Sequence, residues 1–439
     1  MADDLLIING IIKTGSGDSD LPAGYVAVSS GVIREIGPMS ELHDSVIRAA
    51  EKLIDASGCL VMPGLVNGHN HCAMTLFRGL ADDLPLLDWL QKHIFPAEAA
   101  FVTPEMVYLC TRLAAAEMIL SGTTTVADGY FYEDQAARAL KESGLRAVVA
   151  QGVIDFPAPG VPDPAKNLDP AASLIKNWQG DRLINPAIFC HSAYTCSPET
   201  IIGAKQLARE SGVEFFIHLA ETAWEVDEIN RRYGFSPLRH LHRLGVLDEL
   251  TVCVHSIWLD KDEIDLLLDS GAGVITCPES NMKLASGAAP LAQMLEAGIP
   301  VGLGTDGSAS NNDLDIFGEM RSVALMHKLI GHDPTLLPSR AVIGMATAGG
   351  ARVLGLSQSI GRLTPGNKAD LVLVDLRKPH LTPCYDTDSL LTYAAVGSDV
   401  RSSIIDGVLV MEDRRLLTFD LDETLSMVCA LADRVRKAS

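Results

Sequence analysis

From residue 64 onward the chain alternates apolar, β-rich runs with stretches whose apolar positions recur every three or four residues. That alternation is the signature of βα units and of a parallel sheet. The β pattern falls on residues 64–71, 123–129, 145–154, 184–194, 214–222, 251–259, 273–278 and 299–306. Eight such units over about 300 residues predict an α/β fold of the TIM type, a (β/α)8 barrel. Between the runs, residues 104–120 and 198–210 read as helices, each with proline at a first-turn position. The Pro-, Ala- and Asp-rich piece 156–170 predicts a long loop after the third strand, and long loops in compact domains are often functional.

The two ends of the chain have a different texture. Residues 5–12, 25–36 with a break at Ser30-Gly31, and 52–55 read as short strands joined by turns. Similar β character returns at 369–375 and 402–411, and a closing helix is expected over 421–435. The economical arrangement is a small β-sandwich domain built from residues 1–60 plus 361–439, with a catalytic barrel of residues 61–360 inserted between them.

Composition narrows the function without naming it. Hydrophobic residues make up 47% and aromatic residues 5%, a globular profile packed by aliphatic side chains. The formal charge of -21 argues against a nucleic-acid backbone or an anionic membrane surface as partner, though not against a single nucleoside. No apolar run reaches the ~18 residues that a membrane span needs. The nine cysteines are scattered and include no Cys-x-x-Cys, and the first residues lack a signal peptide's basic and apolar regions, so a cytoplasmic location is expected.

The chemistry gathers at the ends of the predicted strands, where barrel active sites lie. His69 and His71 close the first, His191 the fourth, His218 and Glu221 the fifth, His255 the sixth and Asp306 the eighth. Residues i and i+2 of an extended segment face the same side, so His69 and His71 can reach one ion. With His218 and Asp306 they make a set of nitrogen and oxygen ligands suited to Zn2+ or Fe2+. Zinc lowers the pKa of a bound water to about 7, and Asp306 stands where it can hold that water as well as the metal. Glu221 can then shuttle a proton and His255 can orient the attacking oxygen. No lysine ends the fourth strand, where a two-metal site would want a carbamylated bridge, so one metal ion is expected. Gly302 to Gly307 matches GxGxxG but lacks the context of a dinucleotide site. His240 and His242 fall in a helical stretch, where i and i+2 diverge, and read as surface residues.

Pro63 to His71, His218-Leu219-Ala220-Glu221-Thr222, Cys277 to Leu284, Gly304-Thr305-Asp306-Gly307 and Gly361 to Leu371 together resemble the amidohydrolase superfamily. Within it they resemble the methylthioadenosine/S-adenosylhomocysteine deaminases. The resemblance implies hydrolytic deamination at purine C6 of a 5'-modified adenosine, giving the inosine analogue and ammonia. It assigns Glu221 to carry a proton to N1 and Asp306 to relay the water proton. It also places Glu98 on the ribose 2' and 3' hydroxyls and His191 on the purine, so that Glu221 and Asp306 touch substrate as well. One Zn2+ per subunit is implied, with Fe2+ or Mn2+ as alternatives. By position alone Glu98 reads as a surface glutamate at a helix start. Residues 73–101, with Leu84, Leu86, Trp89 and Phe95, would supply an apolar wall.

One departure from the family bears on substrate. Members that accept S-adenosylhomocysteine carry an arginine near the end of strand three, where this chain has Gln151 and no arginine before Arg182. Lys166 is the only cation in the following loop, and it offers a point charge rather than a fork. 5'-Methylthioadenosine therefore ranks above S-adenosylhomocysteine. The alternatives are a related hydrolase acting on guanine, cytosine or a triazine, and a non-catalytic barrel scaffold. A small nucleoside is the expected partner, and a homo-oligomer the expected assembly.

Overall fold

The computed structural model describes residues 4–17 and 19–438. Five strands come first: β1 (Leu5–Ile12), β2 (Leu21–Ser29), β3 (Val32–Pro38), β4 (Lys52–Asp55) and β5 (Cys59–Pro63). Eight follow in the barrel: β6 (Leu65–Asn70), β7 (Thr123–Tyr130), β8 (Arg146–Val153), β9 (Ile184–Ser192), β10 (Phe215–Leu219), β11 (Thr251–His255), β12 (Gly273–Thr276) and β13 (Val301–Leu303). Each matches one predicted run. They pair in sequence order, every neighbour parallel, as βαβ connections require. The barrel nearly closes, because the Asp306 N–H, just past β13, donates to the His69 carbonyl on β6 at 3.0 Å.

The end strands are β14 (Leu371–Asp375), β15 (Val400–Ile405), β16 (Val408–Glu412) and β17 (Arg415–Leu416). They join β1–β5 in one mixed sheet ordered β17-β16-β15-β14-β5-β1-β2-β3, with β4 also paired to β1. β5 is the seam, antiparallel to β14 and parallel to β1. The apolar run from Cys59 to Val66 is therefore two strands in two sheets, parted at Gly64. A Cβ at Gly64 would lie 2.0 Å from Thr124 Oγ1, so only glycine lets the chain cross there.

Packing follows the period of each element. Inside the barrel, Val66, Val148, Ala187, Phe189, Phe216, Val254 and Ile275 pack on one another. Outward-facing residues such as Leu65, Val149, Ile188, Ile217 and Val274 pack under the surrounding helices. Helix Pro104–Leu120 starts where the Thr103 side chain accepts from the Met106 N–H, with proline at the first turn. The last helix, Leu421–Ala438, lays Val428, Leu431 and Val435 against that helix at Met106 and Leu109. Arg146, the first residue of β8, reaches Asp370 beside β14 through Nε at 2.6 Å and Nη2 at 3.0 Å. Asp406, after β15, adds contacts to Arg146, Arg182 and Lys368. This buried ion cluster ties the barrel's N-terminal rim to the mixed sheet. Among the described residues no helix is long and apolar enough to cross a membrane.

Candidate active site

At the opposite rim, the strand ends bring His69, His71, His218, His255 and Asp306 together. His69 Nε2 lies 3.3 Å from Asp306 Oδ1 and 3.4 Å from His218 Nε2, and His71 Nε2 lies 3.3 Å from the same Asp306 oxygen. Tetrahedral zinc with ligand bonds of about 2.0–2.1 Å separates its ligands by roughly 3.3–3.4 Å. The spacing and the donor types of His69, His71 and Asp306 therefore fit one ion, and His218 joins through its contact with His69, the two forming a second close set with His255. His71 directs Nδ1 to the Gly129 carbonyl at 2.5 Å, which fixes its N–H there and leaves Nε2 free as a ligand. The face of Phe189 floors the cluster, stacked on the His69 ring with centroids 5.5 Å apart.

Backbone geometry aims these groups. Gly304 comes so close to β6 that a Cβ there would sit 2.8 Å from the His69 nitrogen. Asp306 then adopts φ 61° and His255 φ 69°, left-handed conformations that β-carbon sterics disfavour and that concentrate at functional sites. Side chains hold the strained turns. Asp306 Oδ2 accepts from Ser280 Oγ at 2.7 Å and Ser310 Oγ at 2.8 Å, which leaves Oδ1 toward the histidines. His255 Nδ1 meets Asn281 Oδ1 at 2.9 Å.

The electrostatics follow from burial with these neighbours. Burial lowers the His69 pKa to about 4 and takes His218 and His255 down as well, so these three imidazoles favour the neutral form. Burial alone would raise Asp306, but the His69 hydrogen bond and the electrostatic pull of the surrounding histidine rings hold it well below the usual carboxylate range. Glu221 goes the other way. Burial, reinforced by the Asp306 charge, pushes it up to about 8, and His255 Nε2 stands 4.0 Å from its Oε2. Two carboxyl groups in one site thus hold opposite protonation states at neutral pH. His191, half-buried on β9, sets its ring edge-on to His218 at 5.1 Å and turns Nδ1 to Thr195 Oγ1 at 2.9 Å.

Above the cluster opens a cavity of about 460 Å3. Its floor carries His71, His218, Glu221, His255 and Asp306, and its walls are mainly apolar, from Leu86, Trp89 and Phe95 on one side to Phe156, Pro157 and Pro159 on the other. Both the 73–101 segment and the loop after β8 therefore face the site. Glu98 lines the cavity too. It is not the surface glutamate that its position suggests but 7% exposed, and it accepts from the Tyr130 hydroxyl at 2.6 Å. Burial raises its pKa to about 7, against the opposing pull of that hydrogen bond.

The sequence model of the Amidohydrolase family matches residues 60–410. The chain belongs to this family. A 5-methylthioadenosine/S-adenosylhomocysteine deaminase of Syntrophobacter fumaroxidans is 48% identical over 99% of this chain and 98% of its own length. A 5'-deoxyadenosine deaminase of Methanosarcina mazei is 44% identical over 95% of both chains. Among solved structures, an adenosine deaminase from Xanthomonas campestris with bound zinc superposes with a TM-score of 0.96 at 38% identity, covering 99% of each chain.

Several parts of this amidohydrolase's site carried no signal in the linear sequence. Glu225 accepts from the Ala220 N–H at 3.0 Å and the Glu221 N–H at 2.8 Å, holding the turn, with Ala220 at φ 47°, that presents Glu221. Ser310 supports Asp306, and Ser280 and Asn281, which lie in the motif Cys277 to Leu284 but had no role assigned there, hold Asp306 and His255 across strands. Tyr130 meets Glu98 across 32 positions of chain. One expectation is corrected: His240 is buried and stacked on Tyr233 at 4.1 Å, because its helix turns that edge inward, while His242 stays at the surface.

Proposed function

We propose that this amidohydrolase deaminates 5'-modified adenosines at C6, with 5'-methylthioadenosine and 5'-deoxyadenosine preferred over S-adenosylhomocysteine. The observation that carries the reading is one cavity holding a histidine–aspartate cluster, a buried glutamate beside it, and a second buried glutamate in an otherwise apolar wall. His69, His71, His218 and Asp306 would hold one Zn2+, with Fe2+ or Mn2+ compatible with the same donors. Bound there, the ion supplies the Lewis acidity that activates water at neutral pH.

The protein groups do the rest. Glu221, carrying its proton at pH 7, donates to purine N1 as oxygen adds to C6. Asp306, ionised, takes the proton that water gives up. His255 hydrogen-bonds the incoming oxygen, with its tautomer set by Asn281. A proton returned to the exocyclic amine lets it leave as ammonia, so water and adenosine yield inosine and NH3 in balance. His191 faces the purine, and Glu98 accepts from the 2' and 3' hydroxyls, since a carboxylate can take two such bonds at once.

The preference among 5' groups rests on charge. Among the described residues no lysine or arginine lines the cavity. Lys166 is exposed outside it, and Arg182 is spent on Asp406 at the other rim. An amino-acid carboxylate would enter without a counter-charge, whereas a methylthio group matches the apolar walls. We further propose a cytoplasmic homo-oligomer with one ion per subunit, and a division of the chain into 1–60 plus 361–439 and 61–360. The deciding experiment measures ammonia release by zinc-loaded enzyme from methylthioadenosine, 5'-deoxyadenosine, S-adenosylhomocysteine, adenosine, guanine and cytosine. Highest kcat/KM on the two neutral 5'-modified nucleosides is expected. Turnover of a free base with none of a nucleoside would overturn the reading.

A further inference from the structure

The Glu98 carboxyl makes its one side-chain hydrogen bond, among the described residues, with Tyr130. The two come from different elements. Glu98 sits on helix Phe95–Phe101, and Tyr130 ends β7, beside the Gly129 carbonyl that holds His71. Both are buried and both line the cavity. The Tyr130 ring is held by packing, which sets where its hydroxyl oxygen lies: Phe131 packs on it at 5.4 Å, and it belongs to the cluster of Trp89, Ile94, Met106 and Cys110. Helix Phe95–Phe101 continues a π turn at Leu90–Ile94, a local geometry frequent at functional sites.

From this we infer that Tyr130 is the positioning residue that makes the enzyme read ribose. Its hydroxyl occupies one lone pair of Glu98 Oε1 and fixes the carboxylate's rotation, so the remaining lone pairs meet a vicinal diol as a pair of acceptors. The same bond favours the ionised form of a carboxyl that burial works to protonate. Without it, Glu98 can turn in its slot and can present a proton where the diol needs an acceptor. The consequence is specific: Tyr130 governs discrimination between ribosides and sugars lacking the diol, and it does not act at C6. The inference rests on the nucleoside-deaminase reading above and deepens it.

The test compares kcat/KM for 5'-deoxyadenosine and for its 2',3'-dideoxy analogue in the zinc-loaded wild type, Tyr130→Phe, Glu98→Gln and the double variant. Losing a hydrogen bond to a charged group should cut the diol preference of Tyr130→Phe by ~10-fold, chiefly through KM of the riboside. In the Glu98→Gln background, Tyr130→Phe should change the preference little, because the group it positions is gone. A Tyr130→Phe enzyme with wild-type preference overturns the inference, including the case in which both substrates slow equally, which would mark a merely structural tyrosine. Wild-type enzyme inactive on both nucleosides would instead bring down the deaminase reading beneath it. Zinc content and melting temperature of each variant separate misfolding from either result.

Discussion

Glu221 and Asp306 share one site with opposite protonation, and each state has a measurable consequence. Glu221, the proposed acid, works in that role only while it carries its proton, and burial followed by the Asp306 charge raises its pKa to about 8. Activity should therefore fall as pH climbs through about 8, and kcat/KM against pH from 6 to 10 checks this. Replacing it by glutamine should leave zinc content near one per chain and lower kcat by roughly 10^2–10^4, the usual worth of a positioned proton donor. Glu98 carries a different cost. Its folded pKa of about 7 lies above the ordinary glutamate value of 4.5, so the fold binds its proton more tightly than the unfolded chain does. That contribution is whole below the unfolded pKa and is lost as pH rises through the folded one. Glu98→Gln should thus melt higher than wild type at pH 8 and lose that advantage near pH 4, while turning ribosides over poorly, a trade of stability for function. Melting curves at the two pH values decide it, and an advantage constant with pH would contradict the account.

At the scale of elements, strand periodicity was enough to find all eight barrel strands and to put five of them under the ionisable groups that converge. The i, i+2 spacing of His69 and His71 and the strand-end placement of His218, His255 and Asp306 are local features, so a linear reading reaches them. What it misses depends on distant contacts. Gly64 splits one apolar run into two sheets because Thr124 stands against it, and nothing near Gly64 in sequence says so. Glu98 looks like a helix-start surface residue until Tyr130 and the cavity cover it. Ser280, Asn281, Ser310 and Glu225 are ordinary polar residues whose value comes from the strained turns they hold. Gly304 shows what such geometry demands of β6 and β13. A methyl group there would press on the His69 backbone, which must then part from the strand carrying Asp306. Gly304→Ala should cost about 1–3 kcal/mol, as overpacking does, and release zinc as well. Metal analysis beside a denaturant melt separates the two effects, and full zinc occupancy would show that the strand ends give way without the ligands moving.

Across the whole molecule, the barrel keeps its chemistry at one rim and its fastening to the mixed sheet at the other. Arg146 opens β8 at the N-terminal rim, while Val153 at the far end of the same strand lines the cavity. Fork geometry lets the guanidinium satisfy Asp370 through two nitrogens, and Asp406 shares the remaining charge. Burial leaves little water to replace any of these partners, since the Arg146 side chain is 5% exposed and both aspartates 1%. Arg146→Met keeps the length and apolar stem but strands the buried Asp370 carboxylate, while Asp406 keeps Arg182 and Lys368. Breaking a buried pair by removing one partner costs about 3–5 kcal/mol, so a large drop in melting temperature is expected. Adding Asp370→Leu removes the stranded charge and should recover part of that loss, although the Asp406 N–H, which Asp370 Oδ1 accepts at 2.7 Å, would then go unpaired. Because the damage lies a full strand length from Glu221, the folded fraction of Arg146→Met should keep kcat within about twofold of wild type at 25 °C. A collapse of kcat in protein shown to be folded by its near-ultraviolet spectrum would mean that the two rims are coupled through β8, and that the sheet does more than anchor the barrel.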